Sequence, residues 1–236
     1  MKRICCLLAL TLSVLAHAQE SDYQKSQIAQ FPFYNISQTI FAPVYPALAR
    51  QLVQDYGITK GFAVDLGGGE GSLAIELAKI TELTIYNVDI DPAAVRLCNI
   101  LAEQNKFTGR VLAIEADATN LPLRDSLADL VISRNSLFSW SDWMAGFREA
   151  YRILKPGGVA YMGGGYSRLL DSDTLQRLIA WSDNKKRQKS SGSVEMPRDL
   201  VAQLRAFGIT QARVIEGPTR SDWWLEMRKP VSRVVQ

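Results

Sequence analysis

The stretch AVDLGGGEGSLAIELA, residues Ala63–Ala78, decides the fold of this chain. An apolar run leads into glycines at alternating positions, Gly67, Gly69 and Gly71, and apolar residues with helical spacing follow. This order predicts a buried strand, a tight turn and a helix. Because the first N–H groups of a helix are unpaired and glycine has no Cβ atom, a nucleotide-like ligand could lie directly on this turn.

The spacing of the glycines narrows the class of ligand. A dinucleotide fingerprint, G-x-G-x-x-G, needs a glycine three residues after Gly69, where this chain has Ser72, and a phosphate-binding G-x-x-x-x-G-K-[ST] run is absent. Asp65 stands two residues before Gly67 and would repel a pyrophosphate, whereas it suits a ligand with positive charge such as an ammonium group. The spacing therefore disfavours an NAD-type oxidoreductase.

Strand and helix patterns alternate along most of the chain. Strands are predicted at 61–66, 83–88, 110–115, 127–133 and 159–163, and helices at 37–56 (interrupted near two prolines), 72–80, 92–104 and 142–154. This alternation is typical of βαβ units and of a parallel sheet with helices on both faces. The remainder is predicted as helices at 172–183 and 198–207, a polar loop at 184–193, and two edge strands at 209–216 and 223–228.

Ordered elements between residues 63 and 163 resemble the class I S-adenosylmethionine-dependent methyltransferases of the small-molecule type, with a domain similar to methyltransferase domains 11 and 25. The elements are the D-x-G-x-G-x-G turn that begins at Asp65, Asn87–Asp91, Glu115–Leu123, Ala128–Ser133 and Glu149–Gly158. A glycine turn alone is a weak signal. The resemblance is specific because all of these elements occur in the order and at the distances that are usual in the family.

The resemblance implies a fold and a reaction. The fold is a Rossmann-like, seven-stranded, mostly parallel sheet with helices on both faces and an antiparallel C-terminal edge strand. The reaction is methyl transfer from S-adenosyl-L-methionine to a small-molecule acceptor by in-line displacement, without a metal. The alternative is an exported, non-catalytic protein that binds a nucleotide-type ligand on a methyltransferase scaffold.

The resemblance also implies which residues hold the cofactor. Asp65 would neighbour the methionine ammonium group, Asp89 would bind the ribose hydroxyls, Ile90 would pack on adenine, and Asp117 would accept a hydrogen bond from the adenine amino group. The full implied set is Asp65, Gly67, Gly69, Gly71, Asp89, Ile90, Asp117, Ala118, Ser133 and Arg134. Asp91, which precedes Pro92, is predicted instead to cap the following helix.

The methyl acceptor is less defined. Family members usually form the acceptor pocket from the first helix, the segment after the fourth strand and late insertions. Aromatic residues at these places are Tyr34, Phe41, Tyr45, Phe138, Trp140, Trp143 and Tyr166. From them Tyr34, Tyr45, Trp140 and Tyr166 are the candidate acceptor contacts, with core packing as the alternative. The sequence does not identify a catalytic residue, and it leaves open whether a general base is used. The only histidine is His17 in the N-terminal segment, so histidine, the commonest general base, is excluded from the mature chain.

Composition excludes other classes of function. The chain has 236 residues, 47% of them hydrophobic, which fits one domain, and a formal net charge of +3, which does not indicate nucleic-acid binding. No cluster of metal ligands is apparent, so no metal is expected. Cys98 lies in an apolar helical pattern and is predicted to be a buried, inert thiol.

The N-terminus has the layout of a secretory signal peptide. Basic residues precede an apolar run from Ile4 to Ala16, and Ala16-His17-Ala18 matches a small-x-small cleavage site. The predicted organisation is therefore a signal peptide at 1–18, a leader at 19–36 and a single methyltransferase domain at 37–236, with no stable membrane span after cleavage. Export, for example to the periplasm, is expected. The alternative is a cytoplasmic or inner-face membrane-associated protein, because S-adenosylmethionine is made in the cytosol.

Overall fold

The computed structural model describes residues 26, 28, 31, 34–189, 196–219 and 222–231, and only the backbone of 185–189. The predicted signal peptide at 1–18 and most of the predicted leader at 19–36 lie outside the described residues.

The described residues form helices that alternate with strands through most of the chain. The helices are α1 (Tyr34–Gln38), α2 (Val44–Tyr56), α3 (Ser72–Ile80), α4 (Pro92–Gln104), α5 (Trp143–Ile153), α6 (Ser172–Lys189) and α7 (Leu200–Ala206). The strands are β1 (Phe62–Leu66), β2 (Thr84–Asp89), β3 (Val111–Glu115), β4 (Ala128–Arg134), β5 (Leu154–Gly164), β6 (Ala212–Glu216) and β7 (Trp223–Arg228). A short 3₁₀ turn at Leu137–Ser139 precedes α5.

The strands form a seven-stranded sheet in the order β3-β2-β1-β4-β5-β7-β6. All neighbours from β3 to β5 are parallel, whereas β7 is antiparallel to both β5 and β6. The predicted Rossmann-like, mostly parallel sheet with a C-terminal antiparallel pair at its edge is thus confirmed. Within that pair β7, whose residues are nearly all buried, lies next to β5, and the more exposed β6 takes the outermost position.

Helices cover both faces of the sheet. One apolar cluster joins the sheet to α5 and α7, and another joins it to α2, α3 and α4. In β1, Val64 and Leu66 belong to the first cluster and Ala63 to the second, as expected from the alternation of side chains along a strand. The order of strands reverses between β1 and β4, and in such sheets the carboxyl ends at this point form a crevice for ligands.

Two predicted boundaries differ from the structure by about five residues, more than the others. The helix predicted at 172–183 continues to Lys189, through part of the segment predicted as a polar loop. This segment contains Lys, Arg and Gln, which favour helix, and neither Gly nor Pro occurs between Ser172 and Gly192. The strand predicted at 159–163 begins at Leu154, but Leu154 pairs with Ala128 and Val159 with Leu130, so residues 155–158 bulge from the ladder.

Other sequence predictions are confirmed. Asp91 caps α4, because its Oδ1 accepts a hydrogen bond of 2.8 Å from the backbone N–H of Ala93, and Pro92 is the first helical residue. Cys98 is buried and free, and burial raises the pKa of its thiol to about 12. No helix in the described part of the chain is both long and apolar enough to cross a membrane.

Candidate functional site

The glycine turn between β1 and α3 is shaped by close neighbours on one side and by open space on the other. A Cβ atom on Gly68 would overlap the Oδ1 atom of Asn87 and would lie 2.9 Å from the Cγ atom of Asp65. Gly69 has a left-handed φ of +58°, and a Cβ atom there would meet no atom within 4 Å. The backbone at Gly69 is therefore the part of the turn that a ligand can approach.

Polar side chains at the end of β2 hold this turn in place. The Oδ2 atom of Asp89 accepts a hydrogen bond of 2.8 Å from Gly69 N–H, and its Oδ1 atom accepts one of 2.9 Å from Asp91 N–H. The side-chain amide of Asn87 donates to the carbonyl oxygen of Gly69 at 2.9 Å. The turn and the acid predicted to bind ribose thus form one hydrogen-bonded unit.

Asp65 is a buried acid with an unsatisfied oxygen. Its side chain is 2% exposed, and its Oδ2 atom has no hydrogen-bond partner among the described residues. Burial, together with the neighbouring carboxylates of Asp89 and Glu70, raises the pKa of Asp65 to about 7, and Arg134 partly opposes this rise. Since buried polar atoms are nearly always paired, this oxygen indicates a missing donor.

A cavity of about 690 Å³ opens beside Asp65 and the glycine turn. One part, named the nucleoside end after the contacts predicted for it, is lined by Asp89 at the end of β2, Ile90 directly after it, and Asp117 and Ala118 after β3. Ile90 is 69% exposed, so it offers an apolar surface to the cavity. The volume lies within the range of about 300–1,000 Å³ that is usual for pockets that bind small molecules.

The other part of the cavity, named the acceptor end after the prediction for its aromatic residues, is lined by Phe41, Tyr45, Arg134, Trp140 and several small polar residues. The guanidinium of Arg134 lies 5.2 Å from the ring centroid of Phe41 and 5.4 Å from that of Tyr45. Its Nε atom donates to the carbonyl oxygen of Gly165 at 3.2 Å. Burial raises the pKa of Tyr45 to about 12, an effect that Arg134 partly opposes.

The cavity brings together most of the predicted site residues. Those that line it are Asp65, Gly67, Gly69, Asp89, Ile90, Asp117, Ala118, Arg134, Tyr45 and Trp140. Asp117 is exposed, and its Oδ1 atom accepts hydrogen bonds of 2.8 Å from both the backbone and the hydroxyl of Thr119.

Two predicted cofactor residues do not line the cavity. Gly71 packs against α4, because a Cβ atom there would lie 2.6 Å from the Sγ atom of Cys98. Ser133 points into the protein, where its Oγ atom lies 2.6 Å from that of Ser136. Successive residues of a strand face opposite sides, so Ser133 is buried where Arg134 reaches the cavity.

Two predicted acceptor contacts also lie elsewhere. Tyr34 packs against an apolar cluster that includes Phe31 and Ile75. Tyr166 is buried, and its hydroxyl lies 2.8 Å from the Oγ atom of Ser182 on α6. Phe138 and Trp143 likewise pack against Trp223 in the core, so core packing is the correct interpretation of these aromatic residues.

The cavity also contains residues that the sequence prediction missed. Glu70 is buried in its wall, where its Oε1 atom accepts a hydrogen bond of 2.8 Å from Ser72. Ser136 lines it too and donates to the carbonyl oxygen of Leu66 at 2.7 Å. An acid among glycines is a signal that could have identified Glu70. Ile36, at the end of the predicted leader, also contributes to the lining.

Comparisons with known proteins agree with this geometry. A family described as a methyltransferase domain matches residues 64–162. An uncharacterised methyltransferase of Bacillus subtilis, YdaC, is 31% identical over 127 residues, which are 53% of this chain and 68% of that protein. The chain belongs to the class I S-adenosylmethionine-dependent methyltransferases.

Two further matches cover different shares of this methyltransferase and of the protein it is compared with. The erythromycin 3''-O-methyltransferase of Saccharopolyspora erythraea is 34% identical over 120 residues, which are 49% of this chain but only 39% of that enzyme. A crystal structure of a proposed S-adenosyl-L-methionine-dependent methyltransferase from Methanococcus maripaludis has a TM-score of 0.74 at 29% identity. The match covers 90% of this chain and 95% of that one.

The cavity of this methyltransferase fits S-adenosyl-L-methionine, the cofactor of the family. The unpaired oxygen of Asp65 needs a donor, which the ammonium group of a bound cofactor would supply. The open face of Gly69 leaves room for a ligand against the backbone, and the exposed side chain of Ile90 offers an apolar contact for adenine. Within the described residues no group of three or more His, Cys, Asp or Glu side chains is arranged to hold a metal ion.

Proposed function

We propose that the protein transfers the methyl group of S-adenosyl-L-methionine to a small-molecule acceptor. The observation that carries this proposal is the buried, unpaired Oδ2 atom of Asp65 beside a bare glycine turn, at one wall of a cavity of about 690 Å³. The resemblance to small-molecule methyltransferases supports it.

Each end of the cavity has a proposed role. Asp65 accepts a hydrogen bond from the methionine ammonium group, and Asp89, which already fixes the glycine turn, accepts from the ribose hydroxyls. Ile90 packs on adenine, and Asp117 with Ala118 lies at the edge of the base. Residues at the acceptor end, which include Tyr45 and Trp140, contact the molecule that is methylated.

The contribution of the protein to this reaction is positioning. When bound, S-adenosyl-L-methionine supplies an electrophilic methyl group, which forms a bond to the acceptor atom as its bond to sulfur breaks and that electron pair stays on sulfur. The glycine turn and Asp89 orient the donor, and the aromatic residues of the acceptor end align the nucleophile with it. Such alignment can lower a barrier by about 7–11 kcal/mol.

Thermal unfolding with added nucleotides tests the proposal. S-adenosylhomocysteine at 100 times its dissociation constant should add about 2.7 kcal/mol to the free energy of unfolding, and NAD should add nothing. The variant Asp89→Ala should lose this response. Asp125→Ala is the matched control, since Asp125 pairs with Arg152 on the surface and should leave the response intact. Unchanged unfolding of the wild type with S-adenosylhomocysteine would contradict the proposal.

We further propose that residues 1–18 direct export and are removed. This proposal rests on the basic start, the apolar run and the Ala16-His17-Ala18 site. N-terminal sequencing of the mature protein from its host should give Gln19 as the first residue. An intact Met1 would favour a cytoplasmic or inner-face membrane-associated protein. If the exported protein binds S-adenosylhomocysteine but forms none from S-adenosyl-L-methionine with any acceptor, the non-catalytic alternative is correct.

A further inference from the structure

Arg134 is a cation in an otherwise acidic cavity. The charged residues among the described lining are the acids Asp65, Glu70, Asp89, Asp91 and Asp117, and Arg134 is the only basic one among them. The acids suit the positive charges of the cofactor. Arg134 therefore needs a separate explanation.

The guanidinium of Arg134 is held in place without an acidic partner. Its central carbon lies over the rings of Phe41 and Tyr45, and its Nε atom donates to the carbonyl oxygen of Gly165. Asp65 and Asp222 lie near enough to interact electrostatically with Arg134, but among the described residues no carboxylate is within ion-pair distance of it. Because a guanidinium has five N–H donors in a rigid fork, most of its donors are left for a ligand, and that fork matches a carboxylate.

The order of strands places Arg134 away from the nucleoside end. Arg134 ends β4, and the carbonyl group that it contacts belongs to Gly165, directly after β5. The acids assigned to the nucleoside, Asp89 and Asp117, follow β2 and β3 on the opposite side of β1. The side chain of Arg134 thus leans toward the acceptor end, where aromatic rings surround it.

We propose that the methyl acceptor is a small aromatic acid and that Arg134 binds its carboxylate. This inference rests on the proposed function. Phe41, Tyr45 and Trp140 supply apolar and aromatic contacts for a planar molecule, and a bidentate pair with Arg134 fixes its orientation. Arg134 then selects acids over neutral analogues of the same shape, because a neutral group would leave the guanidinium unpaired.

Calorimetry on the full chain tests this specificity. The protein is saturated with S-adenosylhomocysteine and titrated with benzoate, phenylacetate and 4-hydroxycinnamate, each beside its primary amide. At least one acid should bind about tenfold more tightly than its amide, which is about 1.4 kcal/mol. Arg134→Gln should remove this preference, so that each acid and its amide bind with similar affinity. Arg134→Lys keeps the positive charge but loses the forked donors, so it should retain part of the preference for acids. This variant replaces Arg134→Gln in the experiment if Arg134→Gln does not fold.

A control variant and a second ligand distinguish a role of Arg134 in acceptor binding from a role in cofactor binding. Arg148→Gln is the matched control, since Arg148 also lies over an aromatic ring, that of Phe207, but outside the cavity, and it should behave as wild type. The variants are also titrated with S-adenosylhomocysteine and with 5′-methylthioadenosine, which lacks the amino-acid part. The inference predicts no change for either ligand in Arg134→Gln.

Three results would overturn the inference. Arg134→Gln could weaken S-adenosylhomocysteine but not 5′-methylthioadenosine, which would assign Arg134 to the carboxylate of the cofactor. All three acids could fail to bind, or could bind no better than their amides, while S-adenosylhomocysteine still binds, and then only the inference fails. If the wild type does not bind S-adenosylhomocysteine, the proposed function fails and the inference fails with it.

Discussion

Two buried acids of the same sheet, Asp65 at the end of β1 and Glu226 in β7, have opposite surroundings. Glu226 is 4% exposed and accepts hydrogen bonds from Tyr56 at 2.9 Å, Arg213 at 3.0 Å and Arg228 at 2.9 Å. Burial alone would raise the pKa of Glu226, but these donors together lower it to about 2. Asp65 is buried as deeply, has an unpaired oxygen, and has a pKa of about 7.

The difference separates a structural acid from one that we propose to bind a ligand. Glu226 finds its partners within the chain, so it fixes the edge of the sheet and needs nothing from outside. Asp65 has no such partners among the described residues, and its ionised form is costly until a cation arrives. A buried carboxylate with an incomplete set of donors therefore marks a ligand site, whereas a complete set marks the scaffold.

The largest expected effect is that of Asp65→Asn. Loss of the carboxylate should weaken S-adenosylhomocysteine binding about 100-fold, or about 2.7 kcal/mol by calorimetry. The free protein should become more stable at pH 8. The raised pKa means that Asp65 holds its proton in the folded state where the unfolded state has lost it, so stability falls as pH rises from 3.8 to about 7. A free variant less stable than wild type in urea at pH 8 would contradict this.

Glu226→Gln should lower the stability of the free protein without weakening ligand binding, which is the opposite of the effects expected for Asp65→Asn. Removing the charge weakens several charge-assisted hydrogen bonds, so the free energy of unfolding should fall by about 2 kcal/mol at pH 7. Because the pKa of Glu226 is lowered, this stabilisation is present above about 4.5 and is lost as pH falls toward about 2. Urea unfolding measures it, and the affinity for S-adenosylhomocysteine should be unchanged. A loss of affinity as large as that of Asp65→Asn would remove the distinction between the two acids.

The pH dependence of cofactor binding should report on Asp65. The ammonium group of S-adenosylhomocysteine pairs with the ionised carboxylate, so below pH 7 binding must first displace a proton. The dissociation constant should rise about tenfold between pH 8 and pH 6. Calorimetry on wild type and Asp65→Asn checks this, because the variant should have a flat profile. A slope that persists in the variant would assign the dependence to another group.

The smallest expected effect is that of alanine substitutions at two glycines. Gly69 and Gly208 have left-handed φ values of +58° and +81°, and a Cβ atom would meet nothing within 4 Å at either position. Alanine at each should cost about 1 kcal/mol of stability through its backbone conformation. Only Gly69→Ala should also weaken S-adenosylhomocysteine binding, since Gly69 lines the cavity. Equal affinities in the two variants would mean that the ligand does not lie on the turn.

The acids of the cavity wall were predictable from sequence because each one lies close to the end of a strand that has a clear local pattern. Asp65, Asp89 and Asp117 lie within about two residues of the carboxyl ends of β1, β2 and β3, and parallel strands bring such positions to one edge of a sheet. The acceptor end was only partly predictable, because its aromatic residues come from distant segments. Tyr45 and Tyr166 are both aromatic residues in segments predicted to form the acceptor pocket. Tyr45 lines the cavity, whereas the hydroxyl of Tyr166 forms a hydrogen bond with Ser182 on α6. Packing between segments that are distant in sequence decides which of these two tyrosines lines the cavity.

The position of β7 between β5 and β6 has a consequence for synthesis of the chain. Among the described strands β6 pairs only with β7, so β6 and one side of β5 stay unpaired until β7 enters the sheet. The last strand to emerge is thus the one that closes the sheet. Ending translation before Trp223 would leave two open edges rather than one shortened terminus.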